Sequence, residues 1–432
     1  MLKQSEGKYL LVVGIPAKGV MNDLLDFKRK FGNGLKIATI YQKSTKPIHD
    51  EQKEVLKEID LALSVNFESE KSISEALLPH KDSFIAVTCR AEGLIGQLAK
   101  IIPHVPYLRT PTVRSLEWAT DKIMMRRRFK LYDRKITPEF LVVYDTKKET
   151  LDNIITKVGF PLVIKPTGLA QSVLVNIVYH KEELEKELKK VFRKIKSAYK
   201  EALRETEPHV LVEQFMDGDM YSIDAFVTSR GKVYCCPPVR VKTGRTIGFD
   251  DFFGYQQMTP TLLNKQSTEE ASEVATKAIH AVGLRSSSAH VELMRTEKGW
   301  KVIELGPRLG GFRNTLYKLA FGIDLTECDI LVRIPQKISV PKTIIGNAVS
   351  MKFFAKQEGF ITKIIGIKKA QELESFHSIA INKQVGDKAT FAKNGGKSVF
   401  NITLFNIDRS KLLADVRRLE QFVKIETLKN KN

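Results

Sequence analysis

The chain has 432 residues, 43% of them hydrophobic and 28% charged, with a formal charge of +20. That length exceeds one ordinary core and predicts two or three folded domains, and no apolar run is long enough to span a membrane. The charge leaves nucleic acid, an anionic membrane surface and acidic small molecules open as partners, beside a plain lysine-rich surface.

Four cysteines, Cys89, Cys235, Cys236 and Cys328, are spaced for neither a zinc site nor a disulfide framework, so a reducing cytoplasm is expected. The apolar run Tyr9 to Pro16 is short and broken by Gly19, which fits a first strand better than a signal peptide. In chain order, "YLLVVGI", "LKIATIY", "LALSV" and "SFIAVTC" then read as buried strands with helical segments between them. This rhythm over residues 1–112 predicts an α/β domain with a doubly wound parallel sheet. The first turn, "GIPAKG", lacks a full dinucleotide fingerprint and reads as a tight turn or a small-anion site.

Pro111 marks a boundary, after which Leu116, Ala119 and Ile123 give helical spacing into the basic run "MMRRRFK". A helix is expected at Thr150–Val158, and "FPLVIKPTGLAQSVLVNIVY" reads as two strands joined by a short loop. The basic segment to Arg204 carries Leu184, Leu188, Val191, Ile195, Ala198 and Ala202 at helical spacing, so its lysines form the wet face of an amphipathic helix. Next, "HVLVEQFMDGDMYSIDAFVTSRGKVYCCPPV" reads as strand, connector, strand, turn, strand. Ser267, with Glu270 three residues on, suggests a capping box opening a helix that stops at Gly283. From about Lys337 the pattern turns β-rich before one terminal helix, which predicts a separate antiparallel module over 337–432 with one face covered.

"AHVELMRTEKGWKVIELGPRLGG" sets two carboxylates, Glu292 and Glu304, among apolar residues. As a hairpin with the loop Glu297-Lys298-Gly299, it would pair Met294 with Val302 and Glu292 with Glu304. Like charges directly opposite are destabilising, so a shared proton, a basic neighbour or a divalent cation must offset them. All-oxygen donors favour Mg²⁺ or Mn²⁺, and magnesium held by two carboxylates usually binds phosphates as well. The alternative is a pair of edge carboxylates in water, against which stand the buried residue types on both strands. Arg308 follows in a loop that can approach the same place, where a guanidinium suits a planar anion; otherwise it is a surface ion pair.

In this order the pieces resemble the ATP-grasp superfamily, and within it the carboxylate–amine ligase branch that shares its architecture with biotin carboxylase. The resemblance covers nearly the whole chain and implies an N-terminal doubly wound domain, a two-part ATP-grasp module and a C-terminal β-rich domain. The module would span 113–336, with a small lid at about 135–208 and a central part at about 209–336. "ATDKIMMR" resembles the helix whose lysine, here Lys122, reaches an ATP phosphate, and "FPLVIKPT" the strand whose lysine, here Lys165, does the same. "VEQFMDGDMYSIDAFV" resembles the hinge that holds adenine through its backbone, here Glu213, Gln214, Phe215 and Met216. "HVELM" and "VIELGPR" resemble the paired metal carboxylates, Glu292 and Glu304, with Arg308 as the anion-binding arginine. Taken alone, either lysine reads as a surface residue.

Three departures stand out. The loop that covers the phosphates is poor in glycine, with only Gly168 and Ser172 to contribute. The ribose-binding acid falls at Met220, with Asp219 one residue away, and a glycine, Gly306, follows the second metal glutamate by two. The resemblance implies an ATP- and magnesium-dependent ligase that activates a small carboxylate as an acyl phosphate for attack by an amine. Arg240 and Lys242, ahead of the irregular "TIGFDDFFGYQQMTP" loop, are candidates for the substrate side. Carboxylation of a small metabolite or nucleotide precursor keeps the same fold, and a non-catalytic nucleotide- or nucleic-acid-binding relative is the third reading. A homodimer is the base-rate expectation.

Overall fold

The structure, a computed structural model, describes residues 8–32, 34–44, 47–168, 173–201, 207–248 and 251–429. Strands β1 (Tyr9–Val13), β2 (Lys36–Gln42), β3 (Leu61–Val65) and β4 (Phe84–Cys89) form a parallel sheet in the order β3-β2-β1-β4. The strand order reverses between β1 and β4, and the crevice beyond their carboxyl ends is where such sheets bind ligands. "GIPAKG" bends at Gly14 and enters a helix at Lys18, and Gly14 is tied to β2: its N–H donates to Ile40 O at 2.8 Å, and Thr39 Oγ1 donates to Gly14 O at 2.7 Å.

The predicted helix past Pro111 is two helices, Val113–Thr120 and Lys122–Tyr132. Asp121 breaks them and caps the second, its carboxylate accepting from the Ile123 and Met124 amides. The cap fixes Lys122 as the first residue of that helix.

β5 (Phe140–Val143), β6 (Leu162–Pro166), β7 (Asn176–Val178) and β8 (Val210–Gln214) make a small antiparallel sheet in the order β5-β8-β6-β7. The helix expected at Thr150–Val158 runs Lys148–Lys157. The long helix, Lys181–Glu201, buries Leu184, Leu188, Val191 and Ile195 as its spacing predicts, and Tyr199 besides. Ala198 packs against that core, whereas Ala202 lies outside the described residues. With Ile154, Ile164 and Val212 these residues form a core of their own, so the small sheet is a separate packing unit.

The remaining strands are β9 (Asp219–Val227), β10 (Val233–Cys235), β11 (Val239–Thr243), β12 (Gly254–Thr259), β13 (Ser287–Thr296), β14 (Gly299–Gly306), β15 (Asn347–Phe353), β16 (Gly359–Ile365), β17 (Phe376–Ile381), β18 (Lys388–Ala389), β19 (Phe400–Asn406) and β20 (Lys424–Leu428). One nine-stranded sheet runs β14-β13-β9-β11-β12-β15-β19-β17, with β10 on β9. This corrects the expectation of a separate β-rich tail. β15 hydrogen-bonds to β12, with Gln257 opposite Ser350, so the tail continues the central sheet. Alternation in a sequence marks the buried face of a strand but not which edge it joins. Among the described tail strands, β16, β18 and β20 form a sheet apart.

The helix expected from Ser267 begins at Lys265, because the Asn264 side chain, not that of Ser267, caps it by accepting from Ser267 N. This helix packs its alanines against the β9–β13–β14 face and shares a core with the N-terminal sheet: Val87, Phe129, Ala275, Ile223 and Val291 belong to one cluster.

Candidate active site

β13 and β14 form the expected hairpin, and Glu292 stands opposite Glu304. The route to that pairing differs from the expectation. Thr296 pairs with Gly299, Met294 with Lys301 and Leu293 with Val302; a bulge at Ile303 then restores Glu292 to Glu304. Without the extra residue Glu304 would pair with Val291 and turn to the other face, since a one-residue slip flips every side chain. Gly299 takes the left-handed conformation its place at the turn demands, with φ 95°.

Arg126 holds the bulge. Its guanidinium donates to Val302 O at 2.8 Å and Ile303 O at 2.6 Å, and to both Glu213 carboxylate oxygens at 2.5 and 3.2 Å. The first arginine of the basic run is thus 2% exposed and structural. Glu213, on β8, also accepts Lys165 Nζ at 2.7 Å. Burial works to raise the Glu213 pKa, yet Arg126 and Lys165 hold it at about 2. Burial, helped by Arg126, pulls Lys165 below its usual value despite Glu213. Lys122 Nζ lies 3.3 Å from Glu304 Oε1. Burial lowers its pKa, but the carboxylates of Glu304, Glu92 and Glu213 outweigh that and hold it above the ordinary value.

Strand alternation puts Ser222 and Asp224 on the face of Glu292, because Glu292 pairs with Ser222 and His290 with Asp224. Asp224 is fully buried; it accepts from His290 Nδ1 at 3.1 Å and from Gly310 N at 2.7 Å, with Arg313 Nε 3.6 Å away. Arg313 also donates to Ser222 Oγ at 2.6 Å and to Gln257. Gly310 is required here, since a Cβ would meet the His290 ring at 2.6 Å. His290 Nε2 sits 3.8 Å from Glu292 Oε1. Burial would raise the Glu292 pKa, but His290, Arg308 and Arg313 hold it below the usual range. Arg308 is ion-paired to Glu92, which follows β4 and so reaches in from the parallel sheet's carboxyl end.

Lys122, Lys165, Glu213, Glu292, Glu304 and Arg308 therefore converge, through direct pairs or one shared neighbour. Three other candidates do not join them. Arg240 pairs with Tyr221, so it and Lys242 project from the face opposite Glu292, and Asp219, opposite Arg295, shares that face. There Asp219 accepts from Arg240 at 2.9 Å. Met220, by contrast, lies on the Glu292 face, so Asp219 does not take its place. In the hinge, Gln214 and Phe215 N–H groups donate to Glu139 O and Pro161 O, both at 2.9 Å, and Met216 ends the segment half-buried. Ser172 lies outside the described residues.

Two carboxylates and no third titratable ligand fit a hard cation that takes its remaining donors from phosphate oxygens and water. Among the described residues no group of three or more His, Cys, Asp or Glu side chains could hold a metal alone. Lys122 on Glu304 shows that the pair already attracts a cation.

The ATP-grasp domain family matches residues 158–316, the stretch that holds Lys165, Glu213, Glu292, Glu304 and Arg308. That stretch is similar to the ATP-grasp domain family. An alanine–anticapsin ligase of Bacillus amyloliquefaciens is 28% identical over 276 residues, covering 60% of this chain and 56% of that one. The chain thus spans about half the length of the curated relatives it matches. Among solved structures, an L-amino acid ligase from Bacillus licheniformis superposes with a TM-score of 0.74 at 17% identity, covering 98% of this chain and 100% of that one. An N5-carboxyaminoimidazole ribonucleotide synthetase from Thermotoga maritima gives 0.68 at 18% identity, with the same coverage. These likenesses show that the overall fold is shared along nearly the whole chain. No helix among the described residues is long and apolar enough to cross a membrane.

Sequence reasoning missed Glu92, Arg126, Asp224 and Arg313. His290 and Asp224 were within reach: each lies two residues from a polar partner on a strand, which puts the pair on one face. Nothing local marks Arg126 as the buried one of three arginines.

Proposed function

We propose that the chain is an ATP- and Mg²⁺-dependent carbon–nitrogen ligase acting on a small carboxylate and an amine. The observation that carries this is Glu292 opposite Glu304, with Lys122 at 3.3 Å and Lys165 tethered to Glu213 at 2.7 Å. Residues 113–336 are assigned as the ATP-grasp module, with the small β5–β8 sheet as its lid. A Mg²⁺ held by Glu292 and Glu304 would offset the charge of the nucleotide phosphates and polarise the one being transferred. Lys122 leaves Glu304 for a phosphate oxygen, and Lys165 meets the phosphates from the lid, already half-stripped of water. Arg308 exchanges Glu92 for the substrate carboxylate, which attacks the γ-phosphorus and releases ADP. The amine then attacks the acyl carbon, phosphate leaves, and the amine gives up a proton. Arg308 stabilises the oxyanion at that stage. Gln214, Phe215 and Met216 line the base through backbone groups that remain available, chiefly carbonyls. The similarity to an alanine–anticapsin ligase and an L-amino acid ligase supports an amide-forming outcome.

ADP release measured over a panel of carboxylic acids with amines tests the reading. Activity is expected only when both are present, and Glu304→Gln should lower it by roughly 100-fold or more, at least the loss seen for outer-shell ligands of metals. Unchanged turnover in that variant refutes the metal role. ADP release that needs bicarbonate and no amine would favour carboxylation, which the structural likeness to the synthetase keeps as the second reading.

A further inference from the structure

Lys352, on β15, has no part in the scheme above. Ser350 pairs with Gln257, so Ser350 and Lys352 share the face of Gln257, Ser222 and Glu292. The Lys352 ammonium lies 4.3 Å from the Phe253 ring centre and 5.3 Å from that of Phe312. It makes no ion pair among the described residues, and the side chain is only partly exposed. Burial and the nearby Arg313 guanidinium pull its pKa down to about 8, with Glu292 opposing them. Arg313 itself is spent on Asp224, Gln257 and Ser222.

Phe312 is 45% exposed and sits at φ 63°, a conformation bulky residues adopt only under strain. Such strain is kept where it presents a side chain for use. A desolvated cation with aromatic walls and no acid of its own is a receptor for one compact anion. β9, β11 and β12 lie between it and the acid strands. On the fourth strand from β13, Lys352 is placed to meet a group of the substrate beside the one reacting over Glu292 and Glu304.

Resting on the ligase reading, we infer that Lys352, boxed by Phe253 and Phe312, binds a second, unreacting carboxylate at the far end of a substrate. That carboxylate belongs either to an amino-acid acceptor or to a dicarboxylic donor. Protein saturated with ADP and Mg²⁺ is titrated calorimetrically with the common L-amino acids and their amides, and with succinate and glutarate and their monoamides. One acid series should bind roughly 10- to 100-fold more tightly than its neutralised form, the range of a charge-assisted contact. The amino acids or the dicarboxylates being the series that responds tells acceptor from donor. Lys352→Met should erase the difference and Lys352→Arg should keep it. Phe312→Ala, at an exposed position, should weaken the acid alone and serves if Lys352→Met does not fold. Equal binding of acid and amide, no binding of any acid, or a preference that survives Lys352→Met overturns the inference. ADP release assayed on the same series separates the two claims. Lys352-dependent binding without turnover refutes the ligase reading, and turnover with an unchanged preference in Lys352→Met refutes the carboxylate site.

Discussion

At the scale of single residues, Glu213 does the most. It is 3% exposed and carries both Arg126 and Lys165, so one carboxylate joins the small β5–β8 sheet to the strand that bears Glu304. Removing one partner of a buried ion pair leaves an uncompensated charge and costs roughly 3–5 kcal/mol. Glu213→Gln should therefore lower the thermal midpoint by several degrees at pH 7. The sign with pH follows from its value in the fold, about 2 against an ordinary 4.5. The ionised carboxylate stabilises fully above the ordinary value, and that stability is lost as pH falls from there through about 2. The gap in midpoint between wild type and Glu213→Gln should stay flat from pH 8 to pH 5 and shrink below about 4.5. A gap that instead widens in acid would contradict the clamp.

At the scale of elements, the β13–β14 hairpin carries the proposed metal pair, because the bulge at Ile303 turns Glu304 onto the face of Glu292. The hairpin was legible in the sequence: Gly299 at the turn and alternating apolar residues specify it. The bulge was not, because it depends on Arg126, more than 170 positions away, donating to the carbonyls that the extra residue leaves unpaired. The candidates that failed to join the site failed for one reason. Asp219, Arg240 and Lys242 lie on strands whose face is set by neighbours, and a sequence gives the alternation without its sense. Gly299 has open space around the place of a Cβ, so only its backbone conformation is at stake. Gly299→Ala should cost about 1–2 kcal/mol, read as a lower denaturation midpoint, since a Cβ strains the left-handed region. A neutral effect would mean that the turn can relax and does not hold the register.

At the scale of the whole molecule, the parallel N-terminal sheet, the small antiparallel sheet and the central sheet were all visible as runs and periods. What the runs could not give was which strands meet. The tail read as a separate module extends the central sheet through β15, and so delivers Lys352 to the face of the acids. Glu92 likewise arrives from the N-terminal sheet to pair with Arg308. The site is thus assembled from every part of the chain, and the +20 charge is in part internal, with Arg126, Arg313 and Arg333 each about 2% exposed or less. The central claim is that Glu292 and Glu304 together seat a divalent cation beneath the nucleotide phosphates. A crystal grown with a non-hydrolysable ATP analogue and Mn²⁺, with the metal located by its anomalous scattering, tests it. The account predicts a peak within about 2.0–2.3 Å of an oxygen of each glutamate, with Lys122 moved from Glu304 to a phosphate. A peak away from the pair, or one bound to phosphates and neither glutamate, would contradict it.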